Sequence, residues 1–162
     1  MPVEITGYWL AKTEPAVYSI DDLARDGETE WDGVRNYQVR NFMRDRMKPG
    51  ERVLIYHSNT AVLGVYGVAE VAGRAHPDST QFDPRSGYFD AKSSPDNPRW
   101  WCPDLRYVET FSTPVTRQMM RETTGLESIN VMKRGMRLSV MPVTKDEFEI
   151  ILRLGRGDGQ RE

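Results

Sequence analysis

The chain has 162 residues, 38% of them hydrophobic and 10% aromatic, with a formal net charge of −2; this is enough chain for one domain with a substantial core, and too rich in core-forming residues for a disordered one. Its longest apolar runs, such as Val53-Leu54-Ile55-Tyr56, fall far short of the ~20 residues a membrane helix needs, and the start MPVEITGYWLAK lacks the basic-then-apolar pattern of a secretory signal. The one cysteine, Cys102, excludes an internal disulfide and fits a reducing compartment, so a cytoplasmic location is expected.

In chain order, Val3 to Lys12 reads as a strand ended by Pro15. The segment 19-SIDDLARDG-27 reads as a short helix, with Ser19 and Asp22 in capping-box spacing and Gly27 at its exit. From Asn36 to Lys48 the period becomes helical, with Val39, Phe42, Met43 and Met47 on one side and Arg40, Arg44 and Lys48 on another. Pro49 and Gly50 stop it. A hairpin follows, 52-RVLIYHS-58 with 62-VLGVYGVAEVAG-73, whose internal Gly64 and Gly67 mark bulges or close backbone approach. Residues 74–99, with four prolines, read as a long loop of the length that tends to be functional or disordered. Residues 100–111 read as a strand, and Thr113-Pro114 as the start of a helix through Arg121. A weaker helical patch from Leu126 to Arg134 precedes a strand at 136–143. Thr144 and Glu147 then box the start of a helix over 145–154. The expected organisation is one α+β domain over 1–155, a small barrel-like sheet of strongly bent strands with short helices, and a loose tail over 156–162.

The charge is uneven. Residues 1–32 carry two basic and eight acidic side chains, whereas 34–52 carry six basic and two acidic ones. A near-neutral total therefore does not argue against an anionic partner. Enzymatic signals are sparse. With two histidines and one cysteine there is no metal-ligand spacing, and there is no phosphate loop or dinucleotide fingerprint. His57 and Ser58, as strand neighbours, point to opposite faces and make a poor base–nucleophile pair. Glu14, Glu30 and Asp32 would serve acid–base chemistry only if folding brought two of them together. No catalytic residue, metal or cofactor is expected. The stretch 31-WDGVRNYQVRNF-42 instead combines a ring, the amides of Asn36, Gln38 and Asn41, and the cations Arg35, Arg40 and Arg44. Those are the ingredients of a nucleic-acid reader, although a core Trp31 beneath solvated arginines is the simpler reading of composition alone.

The strings 8-YWLAKTEP-15, 31-WDGVRNYQVRNF-42, 53-VLIYHS-58 and 137-RLSVMPVT-144, in this order and at these separations, resemble the EVE domain of the PUA-like superfamily, over nearly the whole chain from Tyr8 to Leu154. Val39 stands where many members have alanine. The resemblance implies a PUA-like pseudo-barrel, mostly antiparallel, related to YTH domains. It implies non-enzymatic binding of nucleic acid containing a modified base, a 5-methylcytosine-type base in DNA or a modified base in RNA. The base would be turned out of its stack into a pocket between barrel and helix. By resemblance Trp31 is the stacking ring, and Lys12, Thr13, Asn36, Tyr56, His57, Ser58 and Ser139 border the pocket. Arg35, Arg40 and Arg44 would hold phosphates, and one of Trp100 and Trp101 would close the cage. A monomer with no membrane partner is expected. A base-processing hydrolase using the same pocket and a protein-docking module are the alternatives.

Overall fold

In a computed structural model of the chain, which describes residues 4–157, the fold is built on a six-stranded sheet. Its strands are β1 (Tyr8–Thr13), β2 (Glu28–Glu30), β3 (Arg52–His57), β4 (Gly64–Val71), β7 (Asp104–Thr116) and β8 (Val140–Val143), in the order β2-β7-β4-β3-β1-β8. Only β1 and β3 run parallel, and every other neighbouring pair is antiparallel. A separate two-stranded ribbon pairs β5 (His76–Pro77) with β6 (Trp101–Cys102). The helices are α1 (Ile20–Asp26), α2 (Tyr37–Asn41), α3 (Arg117–Glu122) and α4 (Lys145–Arg156). Among the described residues no helix is long and apolar enough to cross a membrane.

The sheet is apolar on both faces, so it needs two coverings. Strand alternation sends Trp9, Ala11, Val53 and Ile55 into one core with Ile20, Leu23, Trp31, Val39 and Met43. The intervening Leu10, Leu54 and Tyr56 enter the other, with Met120 of α3 and Phe148 and Ile151 of α4. The glycines in β4 make the curl possible. A Cβ on Gly64 would sit 2.3 Å from the Val115 carbonyl oxygen, and one on Gly67 2.4 Å from that of Glu109. The ladder shifts register beside them, between Val65 and Gly67. The outcome is a curled, mixed half-barrel.

Local signals hold where they are strong. Ser19 and Asp22 close a capping box on α1, and Thr144 and Glu147 close another on α4. Several expectations change: the strand expected over 100–111 is divided into β6 and β7, and the one expected over 136–143 begins only at Val140. The helix expected over 36–48 is α-helical only to Asn41 and continues as a wide π-helical turn, Phe42–Arg46, in which the Met47 N–H donates to the Phe42 carbonyl at 2.9 Å. That extra residue in the turn brings Met47 into the same core as Val39, Phe42 and Met43. No helix starts at Pro114. Strand β7 continues to Thr116, and Thr116 caps α3 by accepting from Met119 N–H. Pro114 falls where β7 is out of register with β4, so its missing N–H leaves no gap in the ladder. The patch from Leu126 to Arg134 holds only a 3-10 turn, Asn130–Met132.

The expected loop 74–99 has internal structure. It carries β5 and a 3-10 turn, Ser79–Phe82, and wraps around fully buried Gln81. The Gln81 amide donates to the carbonyls of Asp78 and Trp100 and accepts from Ser93 Oγ and Trp100 N–H. Helix α4 runs to Arg156, which pairs with Glu109. Residues 1–3 and 158–162, with the beginning of the expected first strand and most of the expected tail, lie outside the described residues.

Candidate nucleic-acid interface

Between the end of β1 and the run that begins in β2 lies a cavity of about 740 Å³. One wall is the end of β1 with the turn after it, Lys12, Thr13, Glu14, Val17 and Tyr18; the opposite wall is the continuous run Thr29 to Asn36. Tyr88 from the 74–99 segment and Arg137 and Ser139 before β8 complete it. The size lies within the ~300–1,000 Å³ common for small-molecule pockets.

Trp31 is both wall and core. It is 8% exposed and belongs to the apolar cluster under the sheet, yet it borders the cavity. Its backbone N–H donates to the Pro103 carbonyl at 3.0 Å, which holds it against β7, and Tyr18 meets it edge to face with centroids 6.3 Å apart. The next two residues turn the chain. Gly33 has φ +82, and a Cβ there would meet the Tyr88 ring at 2.7 Å, so only glycine lets Tyr88 close over this segment.

Of the residues expected in the base pocket, Lys12, Thr13, Trp31, Asn36 and Ser139 line this cavity together. Three others do not line it. Tyr56 is 2% exposed and belongs to the opposite core, with its hydroxyl accepting from Arg117. His57 is buried beneath α1, accepts from the Ile20 N–H at 3.1 Å through Nε2, and stacks on Tyr66. Burial lowers its pKa, in keeping with a neutral ring whose Nε2 is an acceptor. Ser58 N–H continues the β1–β3 pairing by donating to the Thr13 carbonyl. Parity sends Tyr56 to the far face of the sheet, whereas His57 leaves by the near face and is covered there by the start of α1 and by Tyr66. Asn36 also has a structural task. It is the N-cap of α2, and its side-chain oxygen is taken by Val39 N–H at 3.0 Å.

The three arginines expected at phosphates are all engaged by the protein itself. Arg35 bonds Asp78 at 3.1 Å, Thr80 Oγ1 at 3.1 Å and the Tyr88 carbonyl at 2.7 Å, and its guanidinium packs over the Trp100 and Tyr88 rings. Asp78, 1% exposed, also accepts from Gly33 N–H and from Thr80, and these bonds keep its pKa low although burial opposes them. Arg35 is thus the latch that fastens the 74–99 segment to the Trp31 run. Arg40 donates to the Arg99 carbonyl and to Asn41 and lies over Tyr37. Arg44 is exposed and paired with Asp45. Neither Trp100 nor Trp101 lines the cavity. Trp100 stacks on Tyr37 with centroids 4.8 Å apart and donates to Asp90, while Trp101 donates to the Pro98 carbonyl.

Of the carboxylates on the cavity wall, Glu14 accepts from Asn59 and Glu30 from the backbone and hydroxyl of Ser79. Asp32 has no side-chain partner among the described residues. Crowding of its carboxyl by protein atoms, with Asp78 and Glu30 adding negative charge, pushes its pKa up to about 6 against the pull of Arg35. The cluster Glu30, His76 and Asp104 has ligand atoms within 4.8 Å of one another. Both His76 nitrogens already face acceptors, the Pro77 carbonyl and Asp104, each at 2.9 Å. Burial works against the charge on His76, but those two bonds outweigh it and raise its pKa.

Sequence reasoning missed Tyr18, Val34, Tyr88 and Arg137 as wall residues. No periodic signal marks Tyr88, which lies in an irregular segment. Arg137 lies inside one of the diagnostic strings, where its only local signal is that of a strand.

The curled half-barrel, with its cavity between the end of β1 and the WDGVRN run, places the molecule among PUA-like domains. Residues 7–154 match the EVE domain, and the chain belongs to that family. Human thymocyte nuclear protein 1 is 35% identical over 93% of this chain and 74% of its own length. A solved structure of that protein in complex with DNA containing 5-methylcytosine superposes with a TM-score of 0.83 at 35% identity, covering 91% of this chain and 96% of the other. A Pseudomonas syringae protein of known structure is 40% identical with a TM-score of 0.86, over 91% of this chain and 99% of its own.

Proposed function

We propose that the chain is a non-enzymatic nucleic-acid-binding domain whose cavity receives one modified base, of the 5-methylcytosine type in DNA, turned out of its strand. The observation that carries this reading is the cavity walled by Trp31, in a chain 35% identical to a protein solved with 5-methylcytosine-containing DNA. Trp31 supplies the flat apolar wall, and base–aromatic stacking contributes roughly 1–3 kcal/mol. Asp32 supplies an uncommitted acceptor, and carboxylates are the natural partner of the cytosine exocyclic amino group. Thr13 and Ser139 add hydroxyls at the opposite side.

The test is a binding comparison, by fluorescence anisotropy, between DNA oligonucleotides that differ only in one 5-methyl group, with matched RNA alongside. Preference for the methylated DNA supports the reading, and equal affinity for both DNAs ends it. Trp31→Leu, checked for folding by circular dichroism, keeps an apolar filler in the core and removes the stacking ring. It is expected to weaken binding by at least about fivefold, the lower end of that stacking energy. One observation favours an enzyme, the raised pKa of Asp32, since acid–base groups are tuned in this way. Recovering the oligonucleotide after long incubation and weighing it by mass spectrometry separates the two: an altered base mass makes this an enzyme.

A further inference from the structure

The cations expected to hold phosphate are bound to the protein, which raises the question of where a strand entering the cavity is gripped. Lys12, Arg117 and Arg137 answer it. Lys12 and Arg137 line the cavity, and Lys12 lies opposite Tyr56 in the parallel β1–β3 ladder. The Lys12 ammonium sits 5.8 Å from the centre of the Tyr56 ring, and Arg117 Nη1 donates to the Tyr56 hydroxyl at 3.0 Å. The two cations therefore converge on one buried tyrosine. Among the described residues none of the three has a carboxylate partner, although ion pairs engage Arg25, Arg35, Arg44, Arg52, Arg85, Arg99, Arg106 and Arg156 elsewhere. The acid nearest in sequence, Glu14, is turned to Asn59.

Two like charges held together without a counter-charge raise the energy of the empty protein. Burial lowers the pKa of Lys12, and the nearby Arg117 lowers it further. A phosphate oxygen seated between them would remove that penalty, and it would do so at the side of the cavity away from Asp32.

We propose that Lys12, Arg117 and Arg137 form the phosphate-binding site of this domain, taking the phosphodiester that flanks the extruded nucleotide, and that Arg35, Arg40 and Arg44 do not. This rests on the nucleic-acid reading above. The experiment measures affinity for the 5-methylcytosine oligonucleotide against salt concentration for wild type, Lys12→Gln, Arg117→Gln, Arg137→Gln and the double variant Arg40→Gln/Arg44→Gln. Removing one cation–phosphate interaction should flatten the log–log salt slope by about 0.9 on duplex DNA or about 0.7 on a single strand. The three single variants are expected to show that flattening and the double variant the wild-type slope. The reverse pattern overturns this inference and leaves the base-binding reading standing; absence of any wild-type binding overturns both.

A measurement without ligand guards against a structural effect. Lys12→Gln removes a repulsion, so its Tm should equal or exceed that of wild type, and a lower Tm makes Lys12 a structural residue and overturns the assignment. Inorganic phosphate at matched ionic strength tests the site by competition. If it displaces the oligonucleotide from wild type more readily than from Lys12→Gln, free phosphate and the strand compete for the Lys12 site, as the assignment requires; equal displacement from both places the strand's phosphate elsewhere and overturns it.

Discussion

Asp32 follows Trp31 directly, and the two divide the wall of the cavity into a polar and an apolar part. Its pKa of about 6 in the folded chain exceeds the ~3.9 of an unfolded aspartate. Between those values the folded state binds a proton that the unfolded state has lost, so stability falls as pH rises through this window. Asp32→Asn is therefore expected to raise Tm at pH 7, with the gain vanishing below about pH 4; thermal scans at the two pH values check it. The same carboxylate, acting as an acceptor for an amino group, should make base binding weaken as pH drops through about 6, and Asp32→Asn should flatten that profile. Neighbouring residues show how little identity alone decides. Asn36 has an amide suited to reading a base edge, yet the first free amides of α2 claim its oxygen.

Elements raise a different kind of conflict, between local preference and packing. Gly155 sits in the last turn of α4, where an alanine would gain up to about 1 kcal/mol of helix propensity. A Cβ there would lie 2.2 Å from the Phe111 ring, which is itself buried and cannot yield. Gly155→Ala is accordingly expected to destabilise by roughly 1–3 kcal/mol in urea titration, and a stabilised variant would mean that α4 and β7 are more loosely packed than this. The 74–99 segment is held by a few polar anchors rather than by a regular ladder. Arg35→Leu leaves Asp78 buried without its cation, a loss of about 3–5 kcal/mol for a buried pair broken on one side. Because Arg35 also binds Thr80 and the Tyr88 carbonyl, amide hydrogen exchange should quicken over residues 78–90 well before it quickens in β3 or β4. Uniform acceleration across the chain would show that the latch has no local role.

For the whole molecule, the mixed sheet with two apolar faces explains both where the site is and why half of its expected members are elsewhere. One face is closed by α3 and α4, the other by α1 and the run from Trp31 to Met47, and the cavity opens where the second covering parts from the end of β1. Tyr56 and His57, adjacent in sequence, are separated by the thickness of the sheet, and neither borders that opening. The end of β3 lies beside the cavity-lining end of β1; what covers its own side chains was not legible in the sequence.

What the amino-acid sequence determined by itself were the features governed by near neighbours and by a long matching pattern. These include both capping boxes, the β3–β4 hairpin, the glycines at its bends, the apolar side of the 36–47 segment, and membership of the EVE domain through four ordered strings. What only the tertiary structure decided was which polar groups remain available. Arg35 reads as a free cation in its own segment, and it ceases to be one because folding brings up Asp78, 43 residues away. Lys12, Arg117 and Arg137 carry no special pattern, and become notable only because folding brings Lys12 and Arg117 to one tyrosine and Lys12 and Arg137 to one cavity. Caps and periods depend on residues within a turn or two of chain, whereas the spare hydrogen-bonding capacity of a charged side chain depends on whatever the fold places beside it.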